Sequence, residues 1–162
     1  MQDRHVPFFD RLRRLVPAPS AADPLARGSA ALQRGRLDDA ETAFAEALAA
    51  AATGAEVALA RNKRAILAIR RGDTALAIEE LVLALEAEPR SPAAITTVGN
   101  LLLESGDVDE AVVHYEYAIV IDDAYAPAYH NLGVALHRRG RRGEAVRMLR
   151  KATKLEGRMT RR

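Results

Sequence analysis

Apolar residues recur at intervals of three and four along nearly the whole chain, in runs separated by Gly, Asp or Pro. This spacing is typical of amphipathic α-helices. The pattern predicts a short helix at about 7–16 and then four helix pairs, at 23–34 with 38–52, 56–71 with 74–87, 92–104 with 108–121, and 126–139 with 142–156. The fold class is therefore predicted to be all-α.

The helix pairs share columns of small and large residues. Gly recurs at intervals of 37, 34 and 34 residues, two Ala columns keep the same intervals, and a bulky residue stands between each Ala pair: Gly35, Gly72, Gly106 and Gly140; Ala40, Ala77, Ala111 and Ala145; Ala47, Ala84, Ala118 and Ala152; Phe44, Leu81, Tyr115 and Leu149. A period of 34 with these columns indicates stacked helix–turn–helix units. We expect each Gly to be left-handed after a first helix, and the Ala residues to lie where helices cross closely.

Two segments, TTVGNLLLESGDVDEAVVHYEYAIVID and APAYHNLGVALHRRGRRGEAVRMLRKATKLE, resemble tetratricopeptide repeats. The family's Leu-Gly pair, turn Gly, Ala, aromatic residue and closing Pro are present in pieces. The resemblance covers about residues 21–156 and implies a right-handed α-solenoid of about four repeats, at 21–54, 58–91, 92–125 and 126–156. Residues 1–20 are then an N-terminal amphipathic segment, and 157–162 a basic C-terminal tail. Such a resemblance is specific for fold and not for function.

Local patterns refine this map. Asp38 with Glu41, Thr53 with Glu56, and Asp107 with Glu110 have capping-box spacing. Three extra residues between the first and second copies predict a longer second helix, through 49–52. The segment 108–121 is apolar nearly all round, which predicts a helix sandwiched between others. The segment 142–156 is basic on one side, as the last helix of a solenoid should be, so no fifth repeat is expected.

Composition narrows the chemistry. The absence of Cys excludes disulfides, thiolate metal sites and cysteine nucleophiles. The four His residues are dispersed, and His130 and His137 are seven apart, which is two helical turns and too far for a shared metal. Acidic clusters fall at helix starts and turns, and no Gly-rich phosphate loop is present. We therefore expect a protein that is not an enzyme and has no cofactor or metal. Charges interrupt the start of the chain every few residues, so we expect a cytoplasmic location.

First helices of tetratricopeptide repeats line the concave side, and the resemblance therefore implies a groove there for a partner's peptide or helix. The second polar and apolar stripe of these helices supplies the candidate groove residues: Asn62, Ile66, Ile69, Arg70, Thr96, Asn100, Leu103, His130, Asn131, Val134, His137 and Arg138. Asn100 and Asn131 fall where peptide-carboxylate clamps of the family place Asn, and Thr96 stands in place of the clamp's Lys. The alternative is that both Asn side chains bond only to neighbouring helices. The expected function is that of a protein-interaction adaptor or assembly subunit.

Charge is segregated along the chain, with a net −11 over residues 72–125 and +9 over 126–162. A basic patch is predicted near the C-terminus at Arg139, Arg141, Arg142, Arg147, Arg150, Lys151 and Lys154. It could dock on nucleic acid or an anionic membrane, or simply keep the array soluble. The acidic middle equally permits a basic partner or self-association.

The N-terminal segment PFFDRLRRLV places five apolar residues on one helix face (Phe8, Phe9, Leu12, Leu15 and Val16) and three Arg residues opposite (Arg11, Arg13 and Arg14). This helix either covers the end of the first pair or anchors the protein to a partner or an anionic membrane.

Overall fold

The computed structural model describes residues 23–159, and within this range it contains eight α-helices and no strand. In chain order they are α1 (Pro24–Gln33), α2 (Leu37–Ala50), α3 (Gly54–Arg71), α4 (Thr74–Ala87), α5 (Pro92–Ser105), α6 (Val108–Ile121), α7 (Ala126–Arg138) and α8 (Arg142–Met159). They form four antiparallel pairs stacked as an α-solenoid, which confirms the predicted fold class. The predicted helix at 7–16 and the end of the basic tail, 160–162, lie outside the described residues.

The turn glycines and the Ala columns behave as predicted. Gly35, Gly72, Gly106 and Gly140 all have φ between +72° and +98°, the left-handed region that favours glycine. The Ala residues of both columns are at most 9% exposed, and the bulky residues Phe44 and Tyr115 are fully buried between them. Small residues let the helices of a pair approach, and the bulky residue fills the space that remains.

The helices form two layers. The first helices of neighbouring pairs contact one another, α1 with α3, α3 with α5 and α5 with α7, whereas within the described range the second helices α2, α4, α6 and α8 contact only first helices. The first helices are therefore closer together than the second helices, which fan out. This arrangement makes the side lined by α1, α3, α5 and α7 the inner, concave face.

Three local expectations need correction. The extra residues between the first two repeats lengthen α3 rather than α2, because Thr53 and Glu56 form a complete capping box that begins α3 at Gly54. Asp38 does not cap α2 but pairs with Arg71, and Asp107 caps α6 without a side-chain hydrogen bond. The predicted tail begins inside a helix, since α8 continues to Met159.

The prediction that 108–121 is sandwiched between other helices is confirmed for two sides, where α6 contacts α5 and α7, but its outer face is open. Val113, Tyr117 and Val120 of α6 are 61%, 49% and 76% exposed. Their exposure follows from the fanning of the second helices, because no neighbour packs on the outer side of α6 among residues 23–159. None of the described helices is long and apolar enough to cross a membrane.

Candidate functional site

An amide pair, Asn100 of α5 and Asn131 of α7, lies half-buried on the concave face. Asn131 Nδ2 donates a hydrogen bond to Asn100 Oδ1 at 2.7 Å, and the Tyr115 hydroxyl donates to the same oxygen at 2.9 Å. These bonds use the oxygen of Asn100 and the nitrogen of Asn131. They leave Asn100 Nδ2, a donor, and Asn131 Oδ1, an acceptor, for other partners.

Tyr115 reaches the amide pair from the core because α5 has a glycine, Gly99, where the tyrosine ring passes. A Cβ on Gly99 would stand 2.6 Å from Tyr115 Cε1, so only glycine allows the ring to lie against α5. Burial raises the pKa of the Tyr115 hydroxyl to about 12, with Arg138 lowering the pKa and Glu104 raising it as secondary influences. The phenol therefore stays protonated and can donate to Asn100 at any physiological pH.

Arg138, at the end of α7, stands beside this pair. Its Nη1 donates to the backbone oxygen of Leu103 at 2.9 Å, one of the carbonyls left unpaired at the end of α5. The bond fixes the guanidinium in place while the residue remains exposed. Arg138 thus has a structural role in capping α5 and still presents a positive charge on the concave face.

The other predicted groove residues divide by exposure. Arg70, His130 and His137 are exposed, and Ile66, Ile69 and Val134 are half-buried, so all six offer surface to a partner. Asn62, Thr96 and Leu103 need correction, because they are only 3%, 3% and 8% exposed and have almost no surface to offer. Leu103 belongs to a core cluster that also contains Tyr115 of α6 and Leu132 of α7. Asn62 Oδ1 and Thr96 Oγ1 have no hydrogen-bond partner among residues 23–159.

Part of the predicted basic patch is neutralised by ion pairs. Arg139 pairs with Asp109 of α6 at 2.8 Å, and Arg141 makes two bonds to Glu144, which lies 4.0 Å from Arg147. These bonds hold the pKa of the Glu144 carboxyl below its ordinary value, Arg141 having the largest effect. Lys151 lies over the Tyr129 ring at 5.6 Å. Arg142, Arg150 and Lys154 are exposed, so the patch carries less free charge than the sequence suggests.

A second concavity on the opposite side of α5 was not predicted from the sequence. Two apolar cavities of about 590 and 250 Å³ share Leu85 and Val98 and together form one groove between α4 and α6, with α5 as its floor. We call it the outer groove; its main lining residues are Ile78, Val82 and Leu85 of α4, Val98, Leu101 and Leu102 of α5, and His114 and Tyr117 of α6. Ile78 and Val82 are about half exposed. The signal in the sequence was the nearly unbroken apolar character of the second helices.

At the equivalent position one repeat earlier, charged side chains fill the space between the helices. Ile95, Val98 and His114 at the outer groove correspond, 34 residues earlier, to Arg61, Arg64 and Glu80. Glu80 is 3% exposed and its carboxylate accepts from Arg61 at 3.0 Å and Arg64 at 2.9 Å. A buried carboxylate held by two guanidinium groups fills that junction, whereas neutral side chains leave the next one open.

No group of three or more His, Asp or Glu side chains between residues 23 and 159 could hold a metal ion. That the protein is not an enzyme stays a prediction.

Known families account for most of the chain. A model described as tetratricopeptide repeat matches residues 25–95, one described as TPR repeat matches 99–140, and a second tetratricopeptide repeat model matches 127–155. Together they cover all but three residues of 25–155. None of the curated proteins compared with the chain matches it significantly.

Solved structures support the same fold. The crystal structure of MamA is 23% identical with a TM-score of 0.58, and the match covers 95% of this chain and 88% of MamA. PilF of Pseudomonas aeruginosa is 24% identical with a TM-score of 0.64, covering 82% of this chain and 59% of PilF. The second TPR domain of Spaghetti (RPAP3), bound to the HSP90 peptide SRMEEVD, is 21% identical with a TM-score of 0.56, covering 62% of this chain and 88% of that domain. At these identities the likeness concerns the fold.

Proposed function

The chain belongs to the tetratricopeptide repeat family, and from that premise we propose that it is a protein-interaction adaptor that captures an extended peptide on its concave face. The amide pair of α5 and α7 is the observation that carries this proposal. Structures of the same fold support a protein partner, since the Spaghetti domain is described with a bound HSP90 peptide and YrrB as having an unusual peptide-binding site.

The amide pair matches what a peptide backbone offers. A peptide unit presents one N–H donor and one C=O acceptor, whatever its side chain. Asn131 Oδ1 would accept from the N–H, and Asn100 Nδ2 would donate to the C=O. Because Tyr115 and the contact between the two amides already fix both side chains, binding orders few additional groups.

Charge and apolar surface around the pair favour a particular kind of peptide. Arg138, Arg70 and the two His residues of α7 carry or can carry positive charge on the concave face. Val134, Ile66 and Ile69 offer partly exposed apolar contacts beside them. We therefore propose a peptide with an acidic side chain that follows or precedes an aliphatic one.

Arg138 differs from a simple clamp residue. One of its two terminal nitrogens is occupied by the Leu103 carbonyl, so it can offer an acidic side chain its other terminal nitrogen. Thr96 is buried where peptide-carboxylate clamps have Lys, which removes a second cation. Recognition of an internal acidic side chain therefore fits this surface better than capture of a C-terminal carboxylate.

A selection of random peptides displayed on phage tests the proposal. The full chain and its Asn100→Ala/Asn131→Ala variant are used as parallel baits, with Gln33→Ala as the control for loss of an exposed amide. We expect acidic-aliphatic sequences to be enriched on the wild type and on the control. Enrichment of the same sequences on the double variant would contradict the proposal.

The rival function is attachment to nucleic acid or an anionic membrane through the basic end. Exposed Arg142, Arg150 and Lys154 are the residues that would carry it. A partner recovered only in the absence of nuclease, and lost steeply as salt rises, would favour this rival over peptide capture. The cytoplasmic location stays a prediction in either case.

A further inference from the structure

We propose that the outer groove between α4 and α6 is a docking site for the chain's own N-terminal amphipathic segment, residues 7–16. This interaction lies on the opposite side of α5 from the amide pair, and it does not depend on the proposed peptide capture. The shape and apolar lining of the groove, its charge, and the length of chain that precedes α1 all favour this occupant.

The groove is apolar and incompletely filled. Ile78 and Val82 lie at successive turns of α4, line the larger cavity and are 52% and 50% exposed. Tyr117 of α6 lines the smaller cavity and is 49% exposed. Val113, one turn before Tyr117 on α6, is 61% exposed. Large apolar side chains gathered on one surface are typical of places where another apolar face packs.

The N-terminal segment supplies such a face. Phe8, Phe9, Leu12, Leu15 and Val16 fall on one side of the helix predicted for residues 7–16, and this segment holds two of the chain's three Phe residues. Ten helical residues are about 15 Å long, which suits a groove between two helices of 14 residues. An amphipathic helix in a groove is a common mode of recognition.

The groove and the N-terminal segment carry opposite charges. The three helices that form the groove contain no Lys or Arg, and Glu79 and Glu86 lie exposed beside Val82 on α4, with Glu104 at the groove's edge. No ion pair between residues 23 and 159 involves these three carboxylates. The segment 7–16 carries Arg11, Arg13 and Arg14 opposite its apolar face, where they would meet this acidic rim.

The connection is long enough. Six residues, 17–22, join the segment to the first described residue, and fully extended they span at most about 20 Å. Two helix spacings of about 8–10 Å separate α1 from α5. The extended connection therefore matches the distance from α1 to α5, the helix that forms the floor of the groove in the same chain, whereas no such limit applies to the groove of a second copy.

A single indole reports the docking, because the chain has no Trp. In the full chain carrying Phe9→Trp we expect emission at short wavelength, as for a buried indole. Adding Val82→Asp should move the emission to longer wavelength, while Val146→Asp, at a site on α8 that is 45% exposed, should leave it unchanged. Ile78→Asp serves as a second groove variant, and circular dichroism verifies that each variant is folded.

Cross-linking then identifies whose segment is bound. The chain has no Cys, so Leu12→Cys with Ile78→Cys creates the only disulfide that can form within one chain, and Leu12→Cys with Val146→Cys is its control. Oxidation at low protein concentration should link the first pair within a monomer and not the second. A dimer in which mass spectrometry finds position 12 joined to position 78 would mean that the segment of a second copy is bound.

Three results would overturn the proposal. Emission of an exposed indole that does not respond to Val82→Asp would mean that the segment is free. Buried emission that does not respond to either groove variant would place the segment elsewhere, such as on the end of the first pair. A short-wavelength shift that needs vesicles of phosphatidylserine and phosphatidylcholine would make the segment a membrane anchor.

Discussion

The two sides of α5 present opposite chemistry. On the concave side Asn100 is held by Asn131 and by the Tyr115 hydroxyl, and its polar atoms are only partly used. On the other side Val98, Leu101 and Leu102 form the floor of an apolar groove whose walls are half-exposed Ile78 and Val82. One helix thus separates a polar surface whose side chains are already fixed from an apolar surface that is open.

The difference follows from how the layers are spaced. First helices pack on one another, and between α5 and α7 the two amides of the pair bond to each other. Second helices fan apart, and a gap opens between them unless side chains fill it. Glu80 with Arg61 and Arg64 fills one gap, and the neutral residues one repeat later leave theirs open.

Alkaline pH should lower the free energy of unfolding through Tyr115, which supports the concave side. The pKa of Tyr115 is raised from 10.0 to about 12 by burial, so the neutral phenol stabilises the fold at and below pH 10. As the pH rises from 10 to 12, the unfolded chain releases this proton while the folded chain retains it. We therefore expect the free energy of unfolding to fall by about 2–3 kcal/mol over this range.

Urea unfolding at several pH values checks this expectation. In Tyr115→Phe the free energy of unfolding should decline about 2–3 kcal/mol less between pH 10 and 12 than in wild type. Tyr117→Phe, which removes an exposed hydroxyl, should show the same decline as wild type. Parallel declines in wild type and Tyr115→Phe would show that the Tyr115 hydroxyl is not buried as described.

Overpacking the contact between α5 and α6 should destabilise the fold. Ala111 of α6 is fully buried where α5 and α6 cross, in the same cluster as Tyr115 and Leu103. Ala111→Leu should force these helices apart and cost about 1–3 kcal/mol. Ala45→Leu, an exposed substitution in the middle of α2, is the control and should leave the melting temperature nearly unchanged. A wild-type melting temperature in Ala111→Leu would mean that the helix pairing is wrong.

Polar substitution in the outer groove should be nearly neutral for folding. Ile78→Ser and Val82→Ser change half-exposed side chains, and each should alter the free energy of unfolding by no more than about 0.5 kcal/mol. Thermal melts of the two variants in a chain without residues 1–16, which lacks the proposed occupant of the groove, provide the measurement. A loss comparable to that of Ala111→Leu would show that these residues belong to the core and not to an open groove.

The columns of small and large residues predicted the architecture because each has one physical role. Left-handed turns demand glycine, and close crossings demand Ala, so Gly106 and Ala111 could be read directly from their spacing. Helix ends were less predictable. Thr53 and Asp38 both have capping-box spacing, yet Asp38 pairs with Arg71 instead of capping its helix. Arg71 is 33 residues away, so local spacing does not reveal it as a partner.

The candidate site was predicted only in part. The three- and four-residue spacing identified the face that holds Asn100, Asn131 and Arg138, but spacing does not give depth. Asn62 and Thr96 share that face and are nevertheless buried. Tyr115 was assigned to packing alone, and its hydroxyl bond to Asn100 depends on the geometry across Gly99.

The amide pair also contributes to the stability of the fold. Because Asn131 bonds to Asn100 within the protein, Asn131→Ala should lower the free energy of unfolding by about 0.5–1.5 kcal/mol. Binding measurements with this variant must therefore be made well below its melting temperature.

Calorimetric titration of one peptide selected on the wild-type chain tests the central claim most directly. The peptide is titrated into wild type, Asn100→Ala/Asn131→Ala, Val82→Asp and Gln33→Ala at a temperature where all four are folded. We expect the double variant to lose about tenfold or more in affinity, as one lost hydrogen bond of about 1.4 kcal/mol requires, while the other two variants bind as wild type does. Full affinity in the double variant, with binding lost in Val82→Asp, would contradict it and would place the peptide site in the outer groove.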